Sequence, residues 1–184
     1  MKNGTIYFRD GDLVAKSGEV RVYEMEGSLY MESGRGTLIS SDRDLSDYIW
    51  QISSKPFGNC LVIGLGLGVA SKYILSLPKV TTITTIEESK DVIKTQKEIF
   101  PINDGRLKII NTDYLPYLYK SGSRFDFIFV DCYNIIDETT FPLIADIVVA
   151  CKRRLSKQGV LIGWLDSSTP EVFIDAFYKL FTLD

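Results

Sequence analysis

The 184-residue sequence predicts an α/β protein. Its expected core is an open parallel sheet of strand order 3-2-1-4-5 with helices on both faces, preceded by an antiparallel β meander. Two textures predict this. Residues 4–40 run as short strand-like stretches cut by turn signals, whereas residues from 59 onward alternate strand-like and helix-like segments five times. Such alternation builds a parallel sheet buried on both faces, because each right-handed crossover lays its helix against the strands. The change of texture divides the chain into residues 1–54, the meander plus a first helix, and residues 55–184, the α/β unit.

Within the first part, "TIYF", "LVAK", "EVRVYEM", "SLYMES" and "TLIS" read as strands. Asp10-Gly11, Ser17-Gly18, Glu26-Gly27 and Gly34-Arg35-Gly36 supply the turns between them. "SSDRDLSDYIWQISS" then reads as a helix capped at Ser41, with Asp44 three residues on and Leu45, Tyr48, Ile49 and Ile52 at helical spacing. After Pro56 come the strands "NCLVIGLG", "TTITTIEE", "LKIINTD", "FDFIFVDCY" and "GVLIGWL". Their helices are "VASKYILSLP", "SKDVIKTQKEIF", "YLPYLYKSG" (a poor one, containing Pro116), "FPLIADIVVACKRRL" and "TPEVFIDAFYKLF".

Composition narrows the function. The formal net charge is −3, and the longest basic run is Lys152-Arg153-Arg154. Nucleic-acid surfaces need clustered cations, so no nucleic acid is expected as a partner. Those three cations close a helix, where they suit its dipole. There is no His, and Cys60, Cys132 and Cys151 are scattered. That leaves no expected metal site and no Ser-His-Asp or Cys-His catalysis. Cys132 lacks a neighbouring cation to lower its pKa and is a poor nucleophile. No stretch is long and apolar enough for a membrane span, and cytoplasm is the expected compartment. Trp50 and Trp164 read as packing residues, and so do Tyr114, Tyr117, Tyr119 and Tyr133.

The chemistry gathers at strand ends. Gly64, Gly66 and Gly68 lie where the first parallel strand leaves for its helix. A glycine turn there lets backbone N–H groups approach a ligand at the carboxyl edge of the sheet. The spacing is GxGxG rather than the GxGxxG/A of dinucleotide sites, and Val69 stands where the third glycine would be. Glu87 ends the second strand, 21 residues after Gly66, where a carboxylate accepts ribose hydroxyls. Its alternative is a solvated charge opening a helix, beside Glu88. Asp113 ends the third strand and can accept an adenine amino hydrogen, or else cap a helix. Asp131 ends the fourth strand, beside the place of a reacting carbon. Asp126 reads as a cap at the start of that strand.

Three carboxylates at successive strand ends, behind one glycine turn, resemble the class I methyltransferase fold, whose members bind S-adenosylmethionine. The nearest likeness is to the spermidine synthase (polyamine aminopropyltransferase) family. It is carried by "LYMESGRGTLISSDRDLSDYIW", "LVIGLGLG", "TTIEESKDVIKTQKEIFP", "LKIINTDYLPYL" and "FDFIFVDCYN". The resemblance implies that Glu87 holds the ribose, Asp113 the adenine amine, and that Asp131 is the catalytic or amine-orienting residue. It implies S-adenosylmethionine or its decarboxylated form as cofactor, a small-molecule acceptor such as an amine, and no metal.

The departures bear on the reaction. The family reads GGGDG at the turn and this chain "GLGLG", so Leu67 stands where a carboxylate would bind the aminopropyl ammonium. The family's second Asp after the fourth strand is Asn134, its DGxxQ element is "ESGRGT", and its tyrosine-histidine pair is "DYIW". Burying polyamine ammoniums without carboxylates is costly. Glu19, Asp131 or Asp137 are the candidates to compensate. The expected function is therefore a spermidine-synthase-like transferase carrying out methyl transfer to a small acceptor. The alternatives are a non-catalytic adenosyl-nucleoside-binding module, a true aminopropyltransferase and, more remotely, an NAD enzyme. The sequence closes on "AFYKLFTLD", where a final hairpin would begin, so a shortened carboxyl-terminal end is expected. The meander, or a second chain in a homodimer, would then cover that sheet edge.

Overall fold

A computed structural model describes residues 11–33, 38–165 and 169–182, with Leu38 and Arg43 described by backbone alone. The expected strand "TIYF", Asp10 and the turn at residues 34–36 lie outside the described residues.

Strands β1 (Asp12–Ser17), β2 (Val20–Met25), β3 (Ser28–Glu32) and β4 (Leu38–Ser40) form an antiparallel sheet in chain order. The β2–β3 turn places both Glu26 and Gly27 at positive φ, 52° and 81°, as a two-residue hairpin that matches strand twist requires. The meander is fastened to the second part through Ser17, whose hydroxyl donates to Asp91 Oδ1 at 2.6 Å.

Helix α1 (Arg43–Ile52) starts differently from the expected Ser41 cap. Asp42 is the N-cap residue, and Ser41 Oγ instead accepts the Leu29 N–H at 3.0 Å. Asp44 turns back to accept the Ser40 N–H at 2.9 Å and is 4% exposed. Two polar side chains therefore weld the helix start to the meander in place of a local capping box.

The second sheet is parallel throughout. It contains β5 (Gly58–Ile63), β6 (Val80–Glu87), β7 (Leu107–Asn111), β8 (Phe125–Val130) and β9 (Leu155–Gly163) in the order β7-β6-β5-β8-β9. This is the expected 3-2-1-4-5 order, with "LVIG" central. Residues 60–63 of β5 and 127–130 of β8 are apolar runs buried on both faces, as a doubly covered sheet demands. The helices between them are α2 (Val69–Leu75), α3 (Lys90–Ile99), α4 (Tyr114–Lys120), α5 (Phe141–Lys152) and α6 (Glu171–Phe181). Pro116 is accommodated in the first turn of α4, where its missing N–H would lack an intrahelical partner anyway. Strand β9 begins four residues before the apolar run that marks it in the sequence.

The other expectations of structural roles divide. Asp126 does serve the opposite end of the sheet: its carboxylate accepts from Asn59 N–H at 2.9 Å and Ser156 Oγ at 2.8 Å. The basic run also has a structural use, since Arg154 donates to the Leu118 and Tyr119 carbonyls that end α4, and Lys152 to the Thr182 carbonyl. Trp50, however, is 78% exposed and is not a packing residue, because it lies on the outward face of α1. Next to it, the Gln51 amide both donates to Leu165 O and accepts from Leu165 N–H, each at 2.9 Å. A side chain thus mimics a neighbouring strand just past the end of β9.

Candidate active site

The carboxyl edge of the parallel sheet is laid out by one continued hydrogen-bond ladder. Gly64 N–H donates to Ile86 O at 2.9 Å, Thr112 N–H to Glu87 O at 3.1 Å, Asp131 N–H to Ile63 O at 2.8 Å and Trp164 N–H to Val130 O at 2.9 Å. Parallel strands place such residues side by side. Gly64, Glu87, Asp131 and Trp164 therefore line one edge, with Asp113 one residue beyond Thr112. Asn111 braces the β7 end, donating to the Glu87 and Glu88 carbonyls at 2.9 and 2.8 Å.

Gly64 has φ of +99°, and a Cβ there would run into the Asp131 carbonyl. Glycine is needed at this point so that two strand ends can touch. Gly68 is the N-cap of α2 at φ +81°, where a Cβ would meet Ile102 and Gln96. Gly66 completes the turn between them, beneath Ile39. The turn encloses Leu67, which is fully buried.

Glu87 is partly buried and its carboxylate is aimed at the turn. Oε2 accepts the Leu65 N–H at 3.1 Å, and Oε1 accepts the Ser89 N–H at 2.8 Å. These two bonds hold the carboxylate against the glycine turn and the start of α3. Asp113 caps α4, accepting the Leu115 N–H at 3.1 Å through Oδ1. It is exposed at the same sheet edge.

Asp131 stands apart from the other two carboxylates. Tyr48, on α1, donates a 2.5 Å hydrogen bond to Asp131 Oδ2. The Tyr48 ring meets Phe129 edge-on at 5.5 Å, which holds α1 over this face of β8. Desolvation pushes the Asp131 carboxyl up to about 7; the Tyr48 bond pulls it down and the Asp44 charge adds to the rise. Tyr48 is itself raised, first by burial and then by the Asp131 and Asp44 charges. A carboxyl group poised near neutrality can exchange a proton with an amine at physiological pH.

Sequence reasoning missed Tyr48 and Asp44 as site residues. Helical spacing made Tyr48 a core residue and a cap motif absorbed Asp44. Neither signal reports that α1 folds back across β8. Cys132 is raised well above an ordinary thiol by burial and then by Asp131, followed by smaller effects that include Glu87 and Glu88, so it stays a thiol. Asp137 spends its carboxylate on Thr139 and Thr140 at the start of α5. Asn134 is exposed. No group of three His, Cys, Asp or Glu side chains among the described residues is arranged to hold a metal. No described helix is long and apolar enough to cross a membrane. A cavity of about 410 Å³ opens elsewhere, at the outer edge of β9 between α1 and α6, and none of the sequence-derived site residues lines it.

The residues suit an adenosyl group in part. Glu87 and Asp113 present acceptors beside a turn that brings backbone close to the sheet edge. Leu67, buried and apolar, offers no counter-charge to an ammonium.

Comparison with known proteins points the same way. Among solved structures, spermidine synthase from Thermotoga maritima superposes with a TM-score of 0.71 at 18% identity, covering 93% of this chain and 61% of that one. A spermidine synthase in complex with the transition-state analogue AdoDATO gives 0.70 at 18% identity, covering 92% and 61%. At that identity they establish the methyltransferase-like fold. Curated polyamine aminopropyltransferases match in sequence: one from Prochlorococcus marinus (strain MIT 9312) is 30% identical over 62% of this chain, and one from Buchnera aphidicola 29% over 57%. The matched region spans 42% and 39% of those relatives' lengths. Residues 51–168, from the end of α1 to just past β9, match the spermine/spermidine synthase domain. With that match covering more than half of its length, the chain belongs to the spermine/spermidine synthase family.

Proposed function

We propose that this chain is an aminopropyltransferase-type enzyme that uses decarboxylated S-adenosylmethionine and an amine acceptor. The observation that carries the reading is the Tyr48–Asp131 pair, a carboxyl near neutrality beside the glycine turn. Family membership favours aminopropyl transfer over the methyl transfer that the departures at Leu67 and Asn134 suggest.

When bound, the adenosyl sulfonium supplies an electrophilic carbon, whose bond to sulfur breaks, leaving a thioether, as the bond to the amine nitrogen forms. Glu87 accepts the ribose hydroxyls and Asp113 the adenine amino group. Asp131, ionised, orients the attacking nitrogen and takes its proton. Tyr48 keeps Asp131 ionised at lower pH than burial alone would permit, and fixes its orientation. Asp44 adds a second negative charge, which attracts a cationic acceptor while it raises the Asp131 carboxyl.

One observation favours a second reading. Leu67 is fully buried where the family carries a carboxylate, so this site has little means to prefer the decarboxylated donor over S-adenosylmethionine itself. Methyl transfer to an amine would use the same base. The deciding experiment incubates the protein with each donor and putrescine and reads products by mass spectrometry. Aminopropylated amine and methylthioadenosine are expected with the decarboxylated donor. Methylated amine alone would support the second reading, and nucleoside binding without any product would refute both in favour of a binding module.

A further inference from the structure

Trp164 is the residue that the proposed reaction leaves unexplained. It is 9% exposed, and its indole N–H is buried with no hydrogen-bond partner. A buried donor without a partner is uncommon and costs stability, so it calls for a reason. Its backbone is fully used: the N–H donates to Val130 O at 2.9 Å and the carbonyl accepts from Tyr133 Oη at 2.8 Å. The residue is therefore held firmly while its side-chain donor goes unused.

Strand alternation gives its place. Phe129 and Ile162 are paired in register, and Phe129 contacts Tyr48, so both lie on the face that α1 covers. Val130 and Gly163 form the next pair, and Gly163 lies against Phe177 and Phe181 of α6 on the other face. The following position, Asp131 beside Trp164, returns to the α1 side, as the Tyr48–Asp131 bond shows for Asp131. Trp164 thus neighbours Asp131 on the side away from the glycine turn, over β9 rather than over β5 and β6, where the nucleoside would lie.

We propose that the Trp164 indole N–H is a specificity contact for the acceptor, and that the acceptor carries a hydrogen-bond-accepting oxygen, a hydroxyl or carboxylate, close to its nucleophilic nitrogen. The inference rests on the function proposed above for Asp131. Indole is a donor only. An ammonium is also a donor only and cannot pair with it. The attacking amine has one lone pair, and that lone pair is committed to the electrophilic carbon. A plain diamine therefore leaves the indole unsatisfied, whereas an oxygen satisfies it.

The test is calorimetry with two pairs of amines that differ by the oxygen: 1,3-diaminopropane against 1,3-diamino-2-propanol, and putrescine against ornithine. Each is titrated into the full chain with and without methylthioadenosine, for wild type and Trp164→Phe. The expected result is that at least one oxygen-bearing amine gains about fivefold in affinity over its counterpart, and that Trp164→Phe removes the gain. Comparing ratios between the two proteins cancels the effect of oxygen on the amine's own basicity. Identical ratios in wild type and variant, for both pairs, overturn the inference even where the nucleoside binds. Failure of the nucleoside to bind overturns the proposed function instead, and the amine ratios remain readable without it. Should Trp164→Phe not fold, Trp50→Phe leaves Trp164 as the single indole of the two. Its fluorescence must then shift with the oxygen-bearing amine and not with the plain one, and equal responses overturn the inference.

Discussion

Tyr48 Oη lies 2.5 Å from Asp131 Oδ2 across 83 residues of chain, joining the helix that follows the meander to the end of a central strand. This bond and burial act in opposite directions on one carboxyl, and the balance sets the pH at which the site can accept a proton.

Removing the bond should move that balance. In Tyr48→Phe, the Asp131 carboxyl loses the interaction that holds it down, and its titration should rise by roughly one to two pH units, the equivalent of a charge-assisted hydrogen bond. The pH–rate profile of transfer in wild type should climb to a plateau above about 7 and shift upward in the variant. An unmoved profile would show that Asp131 is not the titrating base.

Asp131 also makes a stability prediction. Its folded-state value of about 7 exceeds the ordinary 3.8, so between those values the folded chain holds a proton that the unfolded chain releases. Stability from this group is therefore present at acid pH and declines as pH rises towards about 7, then levels off. Asp131→Asn keeps an acceptor for Tyr48 and carries no charge. The variant should gain on wild type as pH rises, by roughly 2–3 kcal/mol between pH 5 and pH 8. Denaturant unfolding at pH 5 and pH 8 measures this, and a variant that loses ground to wild type as pH rises would contradict it.

Glu87→Ala removes the proposed ribose acceptor and the bonds to Leu65 and Ser89 N–H. Affinity for methylthioadenosine should fall about tenfold or more. An affinity within about twofold of wild type would place the ribose elsewhere.

Leu67→Asp puts a carboxylate into a fully buried position. The free variant should unfold several kcal/mol more easily, because the charge has no partner there. Decarboxylated S-adenosylmethionine should raise its melting temperature more than S-adenosylmethionine does, since the ordinary donor brings a carboxylate of its own. Equal rescue by the two donors would mean that position 67 does not face the donor's ammonium.

The sheet was legible in the sequence because its signal is local. Buried strands are apolar runs, glycines mark the turn, and right-handed crossovers leave few strand orders. Gly64, Glu87, Asp113 and Asp131 could be placed at the carboxyl edge of the sheet by position alone, as each ends a strand or follows one. The start of α1 at Asp42, the exposure of Trp50 and the contacts of Tyr48 and Asp44 were not legible. Each depends on what the α1 segment meets after folding: Leu29 for Ser41, solvent for Trp50, Asp131 for Tyr48. The same holds for Trp164, whose burial follows from its apolar body but whose unpaired N–H appears only once every neighbour is in place. Sequence periodicity records which side of an element is apolar, and so determined the sheet and its edge. Desolvation and hydrogen-bond pairing depend on atoms from distant segments, and so the proton chemistry of Asp131 was decided by the tertiary structure alone.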